Sequence, residues 1–286
     1  MHNSIYDKRV RVSDNVIRVL IYLSAFVSVA VLVGIIGLVI VKGAPHLSWQ
    51  LISTVTSGIN NTFGILGNIV NTLYIIVITL LIVTPLGVGG AVYLNEYAKG
   101  GKLVRAIEFT IETLSGIPSI IFGLFGMVFF GTALGLGFSI LTGALTLALM
   151  VLPIITSSTQ VALKSVPESY RAGATGMGAT KWYMIRTIIL PSAMPGIITG
   201  IILGIGRIIG ESAALLFTAG SSYYLVNDFF GHIFKSGGTL TIQLYLSMTK
   251  ARYDQAFAVA LVLIILVFVL NRITHIIANR MNREKG

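Results

Sequence analysis

The 286-residue sequence contains no cysteine, which excludes disulfides, thiolate nucleophiles and cysteine-ligated metal sites and leaves the compartment undefined. Charge is scarce as well, with 10% charged residues and only 10 acidic side chains. The four histidines, His2, His46, His232 and His275, are too scattered for metal-ligand spacing. No serine, histidine and acid can be grouped into a catalytic set either. The chain is therefore expected to be no enzyme, with no metal and no cofactor of its own. At 55% hydrophobic residues and a mean hydropathy of +0.89, too little polar surface remains for a soluble globule. The composition is that of an integral membrane protein.

What the sequence does have is a series of uncharged runs, each near the ~20 residues that a membrane-crossing helix needs. Continuous apolar runs of this length argue for helices and against the alternating strands of a barrel. The fold class is all-α. Residues 19–41, between Arg18 and Lys42, make the first span, and a second covers about 65–94. The uncharged stretch 113–163 is too long for one crossing and is divided by Gly135-Leu136-Gly137, where a turn is cheap. That predicts a third and a fourth span joined by a tight hairpin. The fifth runs from Pro191 to Thr218, with proline tolerated in its first turn, and the sixth from about Gln255 to Ile273. The expected organisation is an N-terminal segment 1–18, one six-span domain 19–275 with a polar loop at about 161–190, and a tail 276–286.

Positive charge decides the orientation. Of the 20 Lys and Arg residues, only Lys42, Lys235, Lys250 and Arg252 fall on one side, and Arg207 lies within a span. The rest fall on the other: Lys8, Arg9, Arg11 and Arg18; Lys99, Lys102 and Arg105; Lys164, Arg171, Lys181 and Arg186; Arg272, Arg280, Arg283 and Lys285. Both termini are thus expected in the cytoplasm of a multi-pass cytoplasmic (inner or plasma) membrane protein. The net charge of +10 follows from this bias and implies no nucleic-acid partner. The run at 19–41 is too long for a signal-peptide core and is expected to stay as an anchor.

Two features carry chemistry. On a helix turning about 100° per residue, Gly196, Gly200, Gly204, Arg207 and Glu211 fall within roughly 80° of one another. Glycines four apart admit a close helix neighbour, so the stripe is expected to face the interior. Arg207 and Glu211, at i and i+4, can pair at membrane depth. The pair is read either as a self-neutralising pair that permits insertion or as an oxyanion pathway, in which guanidinium offers planar, charge-assisted hydrogen bonds.

The second feature is the segment Arg171 to Pro191. Gly173 to Thr180 imitates a nucleotide-binding loop but has Ala179 where its lysine belongs, so any ATP chemistry must come from a partner. Gly178 is followed, after nine intervening residues, by Ile188, then Leu190 and Pro191. This spacing resembles the cytoplasmic coupling loop of ABC importer permeases: Glu-Ala-Ala, three residues, Gly, nine residues, Ile, one residue, Leu. Here the triplet is Ala172-Gly173-Ala174, so the glutamate and its possible salt bridge are absent. Gly178 is expected at a turn where a side chain would clash.

PLGVGGAVYLNEYA at 85–98, GIPSIIFGLFG at 116–126 and GRIIGESAALLFTAG at 206–220 extend the resemblance over most of the chain. Together they look like the phosphate ABC importer permeases of the PstA type. That resemblance implies the MetI-like type I importer fold, a sister permease of PstC type and two copies of a PstB-type cytoplasmic ATPase that binds ATP and Mg. It also implies an extracytoplasmic phosphate-binding protein of PstS type. Permeases for molybdate, sulfate or phosphonate remain alternatives, and an ion-coupled secondary transporter is a more distant one. Trp49, Trp182, Tyr223 and Tyr224 are expected at the membrane interfaces. Glu96, Lys99, Lys102 and Arg105 are expected to form a solvated cytoplasmic edge, and the loop 220–252 to meet the binding protein.

Overall fold

In hydrocarbon, long apolar segments satisfy their backbone groups most simply as helices, and helices dominate the chain. The computed structural model describes residues 12–57, 62–98, 100–223, 225 and 228–283. His2, Lys8, Arg9, Arg11, Lys99, Tyr224 and Lys285, and the side chains of Arg280 and Arg283, lie outside the described residues. Among the described residues, five helices are long and apolar enough to cross a bilayer, and a bent pair can supply a sixth crossing.

The order is α1 (Val12–Gly43), α2 (Trp49–Ser53), β1 (Val55–Ser57), β2 (Thr62–Ile65) and α3 (Leu66–Val92), which a π turn extends to Tyr97. Next come α4 (Lys102–Ser115), α5 (Ser119–Gly126), prolonged by a second π turn to Ala133, and α6 (Ile140–Lys164). The polar segment folds as α7 (Glu168–Gly176) and α8 (Lys181–Met184), and a third π turn leads into α9 (Leu190–Gly210). The chain ends with α10 (Ala213–Thr218), α11 (Phe229–Ile233), α12 (Leu240–Thr249) and α13 (Tyr253–Arg283). The antiparallel pair β1–β2, with Val55 opposite Ile65, is a small departure from an all-α chain.

Two expected spans are redrawn. The third begins with α4, which meets Ser119–Ala133 at a 104° bend. Pro118, with φ −56° and ψ 137°, breaks the helix there. The glycine hairpin before α6 stands where the sequence placed it, with Gly135 and Gly137 at φ of 71° and 57°. The fifth span is not one helix from Pro191 to Thr218. It runs from Lys181 to Gly210, passes into extended backbone at Glu211 (φ −82°, ψ 125°), and resumes as α10.

The centre is α6 packed between α3 and α9, where Ile75, Val83, Leu147, Val151, Ile155 and Ile208 are buried. Glycines bring the backbones together: a Cβ on Gly87 would lie 2.8 Å from Ile155, and one on Gly200 would lie 2.6 Å from the Ser158 Cβ. By contrast α1 has an exposed apolar surface and meets α13 closely at Gly43, whose Cβ would stand 2.6 Å from the Phe257 carbonyl. Trp49 and Trp182 are exposed, and Tyr223 is half-buried.

Candidate functional site

The glycine stripe of α9 faces α6. A Cβ at Gly196 would meet Ala162 at 2.5 Å, one at Gly200 would meet Ser158, and one at Gly204 would meet Val151 at 3.0 Å. Arg207 lies one turn beyond, but Glu211 stands past the helix end, at the break before α10. It is held there on three sides: Oε1 accepts the Ala214 N–H (3.0 Å), the main-chain carbonyl accepts the Thr241 hydroxyl (2.8 Å), and Oε2 lies 3.5 Å from Arg207 Nη2. Its side chain is 4% exposed, whereas that of Arg207 is 45% exposed. Beyond Glu211, Arg207 contacts only the Met150 sulfur at 3.7 Å among the described residues. A fixed carboxylate thus holds a cation whose remaining N–H donors are free for an anion.

At the end where α3 and α6 terminate, α7 and α8 form a helical hairpin. Gly178 turns it with φ of 76°, a left-handed conformation that glycine adopts without a Cβ penalty. The expected clash is absent, because a Cβ there would meet nothing within 4 Å; the requirement comes from the backbone angle. Thr180 caps α8 by accepting the Tyr183 N–H. Ala172 and Gly173 are exposed, while Ala174, Met184, Ile185 and Ile189 are buried with Leu163 and Val166, and Ile188, Leu190 and Pro191 are half-buried. Met177, Trp182 and Tyr183 project outward at 89%, 62% and 58% exposure.

Of the expected solvated edge, Lys102 and Arg105 are exposed, but Glu96 is not. The π turn after α3 buries its side chain to 5% exposure, and its Oε1 accepts from Arg171 Nη2 at 2.9 Å. Arg171 also donates to the carbonyls of Leu163 and Val166, each at 3.0 Å, and to Glu168 at 3.3 Å. The hydrogen bond that Arg171 donates to Glu96 pushes the guanidinium pKa above its ordinary range, against the effect of burial. Sequence reading assigned both residues to loops. The missed signal was a lone acid after a long apolar run, since a glutamate drawn into the bilayer boundary needs a cationic partner.

The loop 220–252 is mixed: residues 237–243 are buried, whereas Phe234, Lys235 and residues 248–252 are exposed. His232 is 1% exposed, its Nε2 lies 2.7 Å from Asn71 Oδ1, and Asn68 and Asn71 donate to the Gly238 carbonyl. Burial lowers the His232 pKa from its usual value. Among the described residues, no group of three or more His, Asp or Glu side chains could hold a metal.

Comparison with known proteins assigns the architecture. Residues 84–283 match the family described as "Binding-protein-dependent transport system inner membrane component". The chain is 38% identical over 274 residues to the "Probable ABC transporter permease protein YqgI" of Bacillus subtilis, covering 91% of this chain and 93% of that protein. It is 35% identical over 204 residues to the "Phosphate transport system permease protein PstA" of Haemophilus influenzae, covering 71% and 72%. A chain of the bacterial alginate ABC transporter, solved with its periplasmic protein bound to an alginate pentasaccharide, shares the fold. It has a TM-score of 0.67 at 16% identity over 95% of this chain and 98% of that one. The protein belongs to the binding-protein-dependent transport family and is a membrane permease subunit of an ABC importer.

Proposed function

We propose that the permease carries inorganic phosphate inward by alternating access, with both termini and the α7–α8 hairpin on the cytoplasmic side. The observation that carries this reading is Arg207: a half-exposed guanidinium beside a buried, immobilised carboxylate at a helix break. The cation offers directional donors to phosphate oxygens. Glu211 opposes tight retention, so the ligand can leave. Likeness to the phosphate transport permease of Haemophilus influenzae supports phosphate among the oxyanions.

In this reading 19–275 acts as one six-span domain. The α7–α8 hairpin, with Ala172-Gly173-Ala174 and Gly178, is the socket for a PstB-type ATPase present in two copies, which binds ATP and Mg. A PstC-type permease completes the pathway, and a PstS-type binding protein delivers phosphate to the opposite face. Labelled phosphate uptake into proteoliposomes of the full complex, with excess sulfate, molybdate or phosphonate, tests the substrate. Uptake resistant to these anions supports phosphate. Transport of one of them in place of phosphate would assign the pathway to that oxyanion.

A further inference from the structure

The geometry points to Glu96 and Arg171 as positioning residues that make the coupling hairpin move as one body with the ends of α3 and α6. The inference rests on α7–α8 as the ATPase socket and does not depend on which anion is carried.

Of the residues in α7, only Ala174 is buried, so apolar packing gives this helix little hold on the membrane domain. Arg171 supplies the hold through directional bonds. One guanidinium nitrogen reaches Glu96 and the Leu163 carbonyl; the other reaches the Val166 carbonyl and Glu168. Leu163 lies in the final turn of α6, where its carbonyl also accepts the Val166 N–H at 3.3 Å, and Val166 lies just beyond the helix end. A planar fork satisfies acceptors on three elements at once, whereas a lysine ammonium presents its donors from a single point. Asn95 donates to the same Glu96 oxygen at 2.8 Å and helps fix the carboxylate. Beside this anchor, Lys181 Nζ of α8 stands 5.1 Å from the centre of the Tyr97 ring. Each helix of the hairpin is therefore tied to the π turn that ends α3. A displacement imposed on the hairpin passes to α3 and α6 through this strut. Without it, the ATPase would swing α7 about the chain at Ser165–Pro167.

The test uses the cysteine-free background of this chain in complexes with cysteine-free partner subunits. Spin labels at Tyr93→Cys and Thr175→Cys report the distance from α3 to α7, without nucleotide and with ATP plus vanadate. The expected result is one narrow, unchanged distance in the parent and a shifted or broadened distribution in Glu96→Gln. In complexes without labels, phosphate moved per ATP hydrolysed should fall at least tenfold in Glu96→Gln and Arg171→Lys. Lys102→Gln, an exposed charge nearby, should leave that ratio unchanged. The ratio is independent of how much complex survives, so a loss of folded protein does not imitate uncoupling. A parent distance that changes with nucleotide overturns the strut, as do ratios within twofold of the parent in both variants. Failure of both variants to assemble with the ATPase would also overturn it, in favour of a folding role. A parent complex that moves no phosphate defeats only the substrate assignment, because the label distances need no substrate.

Discussion

Two arginines of this permease each face a buried glutamate, and their surroundings differ in how much of each guanidinium is left for a further partner. Arg171 has 15% of its side chain exposed, and its acceptors are two carboxylates and two carbonyls. Arg207 has 45% exposed, and its Glu211 contact is longer, at 3.5 Å against 2.9 Å. Only a methionine sulfur adds to it among the described residues. The first guanidinium has little left to offer a ligand. The second keeps most of its donors, beside a carboxylate occupied in capping α10.

The largest expected effect comes from removing the available charge. Arg207→Gln should lower phosphate uptake by at least about 100-fold, equivalent to about 2.7 kcal/mol, with the ATPase still co-purifying. The double variant Arg207→Gln, Glu211→Gln tests the rival reading of a self-neutralising pair. The glutamine replacing Glu211 can still accept the Ala214 N–H through its amide oxygen, so the α10 cap is retained. If the pair only neutralised itself, removing both charges together would restore transport. No rescue is expected; recovery of uptake at matched protein level would return Arg207 to the same class as Arg171.

Lysine sharpens the contrast. Arg207→Lys keeps the cation and loses the fork, so uptake should fall by roughly tenfold, less than in Arg207→Gln. At the coupling end, Gly178→Val forces a branched side chain into a left-handed turn at a cost on the order of 1–3 kcal/mol. Uptake per ATP hydrolysed should fall severalfold, with insertion intact. Because a Cβ there meets no neighbour, Gly178→Asn, which tolerates this region better, should recover much of the coupling. A Gly178→Val variant with parental coupling would remove this turn from the socket.

The contrast between the two arginines was only partly legible in the sequence. Hydrophobic length announced most of the spans, and the Gly135–Gly137 hairpin followed from helix propensity. Spacing likewise marked Gly178 and the α9 glycines, because turns and close contacts act through local backbone and small size. Other features depend on contacts between distant segments. Glu96 and Arg171 are far apart in the chain, and although a lone acid after an apolar run calls for a cationic partner, nothing local to either names the other. The break after Gly210 was hidden because the apolar pattern continues through α10. It becomes evident only with Thr241 and Ala214 in place around Glu211. His232 reads as a loop residue until Asn71 is brought against it.

That histidine supplies the smallest expected effect and a third kind of polar contact, one without charge. Asn71 Nδ2 donates to the Gly238 carbonyl, so its Oδ1 is left to accept from His232 Nε2. Nε2 therefore carries a proton, while Nδ1 is buried without a hydrogen-bond partner among the described residues, an environment that suits the neutral imidazole. Protonation would place a second proton where no acceptor stands among the described residues, and burial lowers the pKa from the ordinary value of 6.5. The unfolded chain then takes up this proton more readily than the native one. The stability contributed by neutral His232 is complete above about pH 6.5 and is lost as pH falls from there to the lowered native value. The melting temperature of the purified complex should decline on the order of 2 °C across this window. His232→Gln, which can still donate to Asn71, should remove that part of the slope. An equal slope in both proteins would place the titration elsewhere and leave His232 as a packing residue whose ring meets Tyr74 edge-on, with centroids 5.1 Å apart.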